Sequence, residues 1–169
     1  MDQLWAGWRQ SFIEGNQTSK IEAKCVLCTM GDLEPSPLSH VVFRGTHNYV
    51  VLNAYPYTPG HLMVVPYAHV AMLTEIEPQV LVENSLVMQK CVEVLTKVYA
   101  PGGFNVGANI GRAGGAAIDD HVHFHVVPRW IGDTNFMTSI ANIRVLPESL
   151  ESSYVRIFDW WQKSYVTKP

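Results

Sequence analysis

Three histidines, His121, His123 and His125, alternate with Val122 and Phe124, and Val126, Val127 and Pro128 follow them. Imidazole can act near neutral pH as a nucleophile, a base or an acid. Alternation with a period of two is the spacing of a β-strand. On a strand the three rings share one face, while Val122, Phe124 and Val126 point the other way into a core. Neighbouring rings then stand ~6.6–6.8 Å apart. Rings at that spacing can surround one phosphate-sized group, or divide between a phosphate and a metal ion. The rival chemistry is one ion held by all three imidazoles, as in a catalytic zinc site. A purely structural face would bury three polar rings, each needing a partner.

A neutral imidazole nitrogen can attack an α-phosphorus and expel the remaining phosphates. Water or phosphate then takes the nucleotide from the labile phosphoramidate. Such double displacement needs an oriented nucleophile, a proton donor for the leaving oxygen, and N–H donors around the phosphoryl group. The loop before the histidines, Gly111-Arg-Ala-Gly-Gly-Ala-Ala117, is rich in small residues that let a phosphate approach backbone N–H groups. It is no P-loop, because Gly-Lys-Ser/Thr is missing. Cys25-Val-Leu-Cys28 reads either as a redox pair or as half of a zinc site. No βαβ pattern precedes it, which weakens the redox reading.

The elements that must position these residues follow from periodicity. Residues 40–44, 48–53 and 61–65 are strand-like, with Gly45-Thr-His47 as a hairpin and Pro56-Tyr-Thr-Pro-Gly60 as a turn. Pro66 closes the third strand, and His61 opens it, aimed by the turn. Residues 78–99 read as one long helix, with Val80, Val87, Cys91, Val94, Leu95 and Val98 at three- and four-residue spacing. Pro78 suits its first turn and Pro101-Gly-Gly103 ends it. Residues 104–110 form a fourth strand beside residues 121–127. Pro128 has no ladder donor and should end that fifth strand.

Residues 148–165 read as a terminal helix with Tyr154, Ile157, Phe158, Trp161 and Tyr165 on one face. Residues 14–39 and 131–147 read as loop. Trp5 and Trp8 lie in an aromatic stretch without a clean period; either they cap the core or they line a pocket and stack on a base, and capping the core is the favoured reading. The fold class is α+β, an antiparallel sheet with helices packed on it.

Bulk properties bound the function. The chain has 169 residues, 47% hydrophobic and 16% charged, which suits one globular domain over 1–169. A net charge of −3 excludes a nucleic-acid binder that works by bulk electrostatics. No apolar run approaches the roughly 18 residues of a membrane span, and the first residues lack a signal peptide's pattern. A cytoplasmic protein with no membrane partner is expected. Three cysteines, Cys25, Cys28 and Cys91, are an odd number and do not suggest a disulfide framework. Cys91 reads as core.

His-x-His-x-His followed by two apolar residues resembles the histidine triad (HIT) family of nucleotide hydrolases and transferases. The stretches Asn105-Val-Gly-Ala-Asn-Ile-Gly, Gly114-Gly-Ala-Ala-Ile-Asp-Asp-His121 and Val51-Leu-Asn-Ala-Tyr-Pro-Tyr-Thr-Pro-Gly-His-Leu-Met-Val-Val-Pro66 are similar to its diadenosine polyphosphate hydrolase/phosphorylase branch. The resemblance covers about residues 4 to 146. It implies a HIT-like fold of about five strands, a long helix and a C-terminal helix, assembled as a homodimer. It implies an adenine-nucleotide substrate resembling diadenosine tetraphosphate, cleaved at a phosphoanhydride.

In that pattern His123 is the nucleophile that becomes adenylylated. His125 hydrogen-bonds the phosphate or bridging oxygen, and His61 supports the nucleophile. Asn53 contacts the ribose. Asn109 and the backbone of Gly115, Ala116 and Ala117 hold the phosphate. From the position of Asn53, the adenine is expected on apolar residues near Val42 and Phe43. Many relatives carry Gly-Gln-Ser or Gly-Gln-Thr where this chain has Ala116-Ala117-Ile118, and Arg112 is the candidate substitute donor. The spacing also leaves Asn109 one residue further upstream than in the family.

The resemblance further implies a structural zinc ion on Cys25, Cys28, His69 and His121, against the rival of two reduced thiols without metal. Adenosine phosphoramidate hydrolysis, and a nucleotide- or zinc-binding module without turnover, stay open. So does the choice between phosphorylase and hydrolase.

Overall fold

The computed structural model describes residues 25–133 and 148–166. The aromatic stretch at 4–13 and the segment 134–147 lie outside the described residues, as does the Tyr165 side chain. Among the described residues, helices and strands follow in the order α1 (Val26–Gly31), β1 (Val41–Arg44), β2 (Asn48–Leu52), β3 (Leu62–Pro66), α2 (Pro78–Tyr99), β4 (Gly103–Ala108), β5 (Phe124–Arg129) and α3 (Leu150–Val166). The five strands make one sheet in the order β1-β2-β3-β5-β4. Every neighbouring pair is antiparallel. The α+β architecture expected from the sequence is the one found.

The two faces of the sheet differ. Val50, Leu52, Leu62, Val64 and Val126 point to α2 and α3, where Val87, Cys91, Val94, Leu95, Ile157 and Trp161 close the main core. Burying each of these larger apolar side chains stabilises the fold by roughly 1.5–3 kcal/mol. Tyr49, Val51 and Val65 point the opposite way and pack with Leu27 of α1. Both faces of β2 are therefore covered, and all five of its residues are buried. α2 starts with Pro at its first turn and ends on Ala100 in a left-handed conformation at φ 45°. Tyr154, Ile157 and Trp161 of α3 are buried in the core.

Three boundaries move. β5 begins only at Phe124, so His121 and His123 lie on the extended approach to the strand. The strand also runs through Pro128 to Arg129, where Pro128 pairs with Phe104. Pro128 is tolerated because its ladder to β3 has already ended at Leu62 and Val126. Its carbonyl instead accepts the Thr58 hydroxyl at 2.8 Å, so no ladder donor is missed on that side. Pro66 likewise lies inside β3, opposite Asn48. The third change is α1, a six-residue helix within a stretch whose composition reads as loop. Such a helix is far below the roughly 12–15 residues that are stable alone. Tertiary bonds hold it: Tyr49 donates to the Leu27 carbonyl at 2.6 Å, and Arg44 donates to the Gly31 and Leu33 carbonyls at 2.6 and 2.8 Å. No helix among the described residues is long and apolar enough to cross a membrane.

Candidate active site and metal cluster

The register lines up Val51, Met63, His125 and Gly107 in one row across four strands. Directly opposed residues share a face, here the face away from α2 and α3. Three strand spacings make the row about 14 Å long. His125 is near its middle, with His123 beside it, their rings 5.0 Å apart and edge-on.

Hydrogen bonds assign the protons. His61 is fully buried, and its Nδ1 accepts the Tyr57 backbone N–H at 3.1 Å. A backbone N–H can only donate, so the proton of the neutral ring sits on Nε2. That nitrogen lies 2.9 Å from His125 Nδ1 and donates to it. His125 in turn carries its proton on Nε2, as an N–H donor. His123 is set the other way. Its Nδ1 lies 2.8 Å from the His121 carbonyl, which can only accept, so Nδ1 is protonated and Nε2 keeps its lone pair. Burial holds the His123 pKa below the usual histidine value, against an upward pull from that carbonyl. A neutral nucleophilic nitrogen and an N–H donor thus stand side by side. His61 reaches His125 directly, so any support it gives His123 runs through His125.

A cavity of about 160 Å³ opens in front of these rings, walled by Val26, Leu27 and Met30 of α1 and by Val51 and Met63 of the sheet. Asn53, Asn109, Gly115, Ala117, His123 and His125 also line it. Asn53 is engaged already: its Oδ1 accepts the Tyr55 N–H at 2.9 Å and its Nδ2 lies 3.3 Å from His61 Nδ1. It therefore shapes the turn that aims His61 as well as facing the cavity.

Other expected residues stand elsewhere. Phe43 packs on Trp161, with ring centroids 5.2 Å apart, on the α2–α3 side of the sheet. A bulge between Val41 and Phe43 leaves Val42 and Phe43 both against the main core, so neither lines the cavity. The apolar wall is supplied by α1. Ala116 gives its N–H to the Gly111 carbonyl at 3.2 Å, and Gly115 gives its N–H to Arg112 at 3.0 Å, so these two amides close their own turn. Gly111 and Gly115 have φ of 68° and 86°, which glycine alone adopts without strain. Arg112 is held by Asp119 at 2.7 Å and is largely exposed, away from the cavity.

Leu27, Met30 and Tyr57 were not foreseen. The spacing of Leu27 and Met30 was a usable signal, since a helix starting at Cys25 puts both on one face. Tyr57, read only as part of a turn, fixes the His61 tautomer through its backbone.

Behind His123 lies a second cluster. Potential ligand atoms of Cys25, Cys28, His69 and His121 all fall within 4.8 Å of one another. His121 Nε2 sits 2.9 Å from the Pro66 carbonyl and donates to it. Its Nδ1 is thereby left as a lone pair, 3.4 Å from Cys25 Sγ and 3.6 Å from Cys28 Sγ. His69 Nδ1 is 3.3 Å from Cys28 Sγ. Tetrahedral zinc with ordinary Zn–S and Zn–N bonds requires S···N edges of about 3.5 Å. The donor set and spacing are compatible with zinc. The three histidines are thus divided, His121 to this cluster and His123 and His125 to the cavity.

Comparison with known proteins places this geometry. Residues 36–130 match the HIT domain family model. An AP-4-A phosphorylase from Mycobacterium tuberculosis is 44% identical over 123 residues, 73% of this chain but only 63% of that protein's length. The asymmetrical bis(5'-nucleosyl)-tetraphosphatase of Schizosaccharomyces pombe is 31% identical over 54% of this chain and 50% of its own length. In fold, the chain matches a zinc-bound histidine triad family protein from Mycobacterium smegmatis with a TM-score of 0.68 at 24% identity, covering 86% of this chain and 98% of that one. The matched region contains the whole sheet and all three histidines, and on that footing the chain belongs to the HIT domain family.

Proposed function

We propose that the protein is a nucleotidyl hydrolase or transferase that cleaves a phosphoanhydride of a dinucleoside polyphosphate, of the diadenosine tetraphosphate kind. The observation that carries this reading is the opposed pairing of the two Nδ1 atoms: that of His123 faces the His121 carbonyl, and that of His125 faces His61 Nε2. The base packs in the apolar cavity between α1 and the sheet, with the ribose toward Asn53. The α-phosphate lies at Asn109, the Ala117 backbone and the two histidines. His123 Nε2 attacks the α-phosphorus; a P–N bond forms as the P–O bond to the remaining phosphates breaks. His125 Nε2–H donates to the oxygen on which charge develops. The His121 carbonyl, holding Nδ1–H, stabilises the charge that His123 gains.

In the second half the P–N bond breaks toward phosphate, giving a nucleoside diphosphate, or toward water, giving the monophosphate. The likeness to an AP-4-A phosphorylase supports phosphate as acceptor. Zinc on Cys25, Cys28, His69 and His121 has a structural role: four protein ligands leave no open position for chemistry. It anchors α1 to the approach of β5. A homodimer through α2 and the open edge of β4 is part of the same reading, supported by the exposed Val82, Leu86 and Val106.

The test is single turnover with a dinucleotide labelled at the α-phosphate. Wild-type protein should trap an acid-labile, base-stable nucleotidyl adduct. His123→Ala should trap none and lose turnover, while AMP binding persists. Near-native turnover of His123→Ala would refute the reading. Product analysis with and without inorganic phosphate identifies the acceptor.

A further inference from the structure

A second cavity, of about 420 Å³, opens on the other side of His125. It shares Tyr57, Asn109 and His125 with the apolar cavity, so the two meet at His125. Its character is different. Thr58, Asn105, Arg129 and Asp133 line it, with Val127 and Gly107. Arg129 donates to both Asp133 oxygens at 2.6 and 2.7 Å and to Asn105 Oδ1 at 2.6 Å. Those bonds hold its planar fork in place and leave two of its five N–H groups over. The volume falls within the ~300–1,000 Å³ of small-molecule sites.

We infer that this second cavity is the subsite for the leaving half of the substrate: the phosphates beyond the scissile bond and the nucleoside they carry. The inference rests on the function proposed above. The row Val51, Met63, His125, Gly107 begins in the apolar cavity and ends in the polar one, with the donor histidine between. A nucleotide whose base lies over Val51 and Met63, and whose α-phosphorus lies at His123 and His125, directs its other substituent toward Gly107. The cavity there offers the two remaining guanidinium N–H groups of Arg129, whose charge is shared with Asp133, and the neutral groups of Thr58 and Asn105, which suit a phosphate chain and a polar nucleoside. Gly107 keeps this floor open: a Cβ added there would meet nothing within 4 Å, and its φ is not in the left-handed range. A side chain at 107 therefore projects into the subsite without backbone strain.

Two substrates with the same transferred nucleotide and different leaving groups test this. Diadenosine tetraphosphate leaves a whole nucleotide; adenosine 5′-phosphoramidate leaves only ammonia. Gly107→Val should lower the ratio of kcat/KM for the first to that for the second by at least about tenfold, the weight of one lost subsite contact. Gly107→Ala, a smaller intrusion, should lower it less. An unchanged ratio in both variants, or equal losses on both substrates, overturns the subsite. Wild-type protein that cleaves neither substrate overturns instead the function on which it rests.

Discussion

Removing the metal cluster should weaken nucleotide binding, although none of Cys25, Cys28, His69 and His121 lines the apolar cavity. α1 has cysteines on one side and the cavity wall on the other: Cys25 and Cys28 belong to the cluster, while Val26, Leu27 and Met30 line the cavity. Its C-terminal end is tied by Arg44. Its first turn has no side-chain cap, since Cys25 sits at the N-cap without one, so the cluster anchors that end. Without it, six residues of helix lack the length to persist, and one of the two walls of the apolar cavity loosens. A buried side chain of this size is worth roughly 1.5–3 kcal/mol. Loss of about half of that contact from each of Leu27 and Met30 amounts to about 2 kcal/mol, or about thirtyfold in Kd.

The assay is calorimetric titration with AMP on zinc-loaded protein, chelator-treated protein and Cys25→Ala, with metal content measured on each. Linkage adds a second readout: AMP must raise zinc affinity by the same factor by which zinc raises AMP affinity. If protein shown to be metal-free binds AMP as tightly as loaded protein, the coupling through α1 is wrong.

His61→Ala should lower kcat by about a hundredfold, within the range of acid–base and hydrogen-bonding partners, because His125 loses the donor that fixes its tautomer. His61→Gln, whose amide N–H replaces Nε2–H, should recover most of the rate, and AMP affinity should hold in both; native kcat in His61→Ala would dismiss the relay. Glu148 is pushed up by burial, but donors from Tyr99, Ser153 and Arg156 outweigh that and hold it below the ordinary 4.5. Its stabilisation is therefore full above that value and is lost as pH falls through the depressed one. Glu148→Gln should lower Tm by about 3–6 °C at pH 7 and by much less in strong acid; an equal deficit at both pH values would assign the effect to packing alone.

Local pattern was enough for much of this protein. The three- and four-residue spacing in 78–99 defines an amphipathic helix whatever it packs on, and α2 occupies Pro78–Tyr99. β-branched runs broken by Gly and Pro mark the strands, since pleat and turn chemistry are short-range. The identities of Cys25, Cys28, His69 and His121 could be read from motif resemblance, and the fold brings them together. What sequence could not decide was long-range. A period of two alone puts three rings on one face; the resemblance set His121 apart from the other two, and the physical reason is long-range, because the β3–β5 ladder reaches only from Phe124 to Val126 and His121 turns to the Pro66 carbonyl and the thiols. The bulge in β1 reversed Phe43, because one extra residue flips a side chain to the opposite face. α1 was invisible because its stability comes from Tyr49, Arg44 and the cluster rather than from helix propensity. The proton of His125 is placed by His61, an imidazole 64 residues away in the chain, and that of His123 by the carbonyl two residues before it on the extended approach to β5; residue types supply the imidazoles, and only the packed structure fixes which ring nitrogen keeps a lone pair and which a proton.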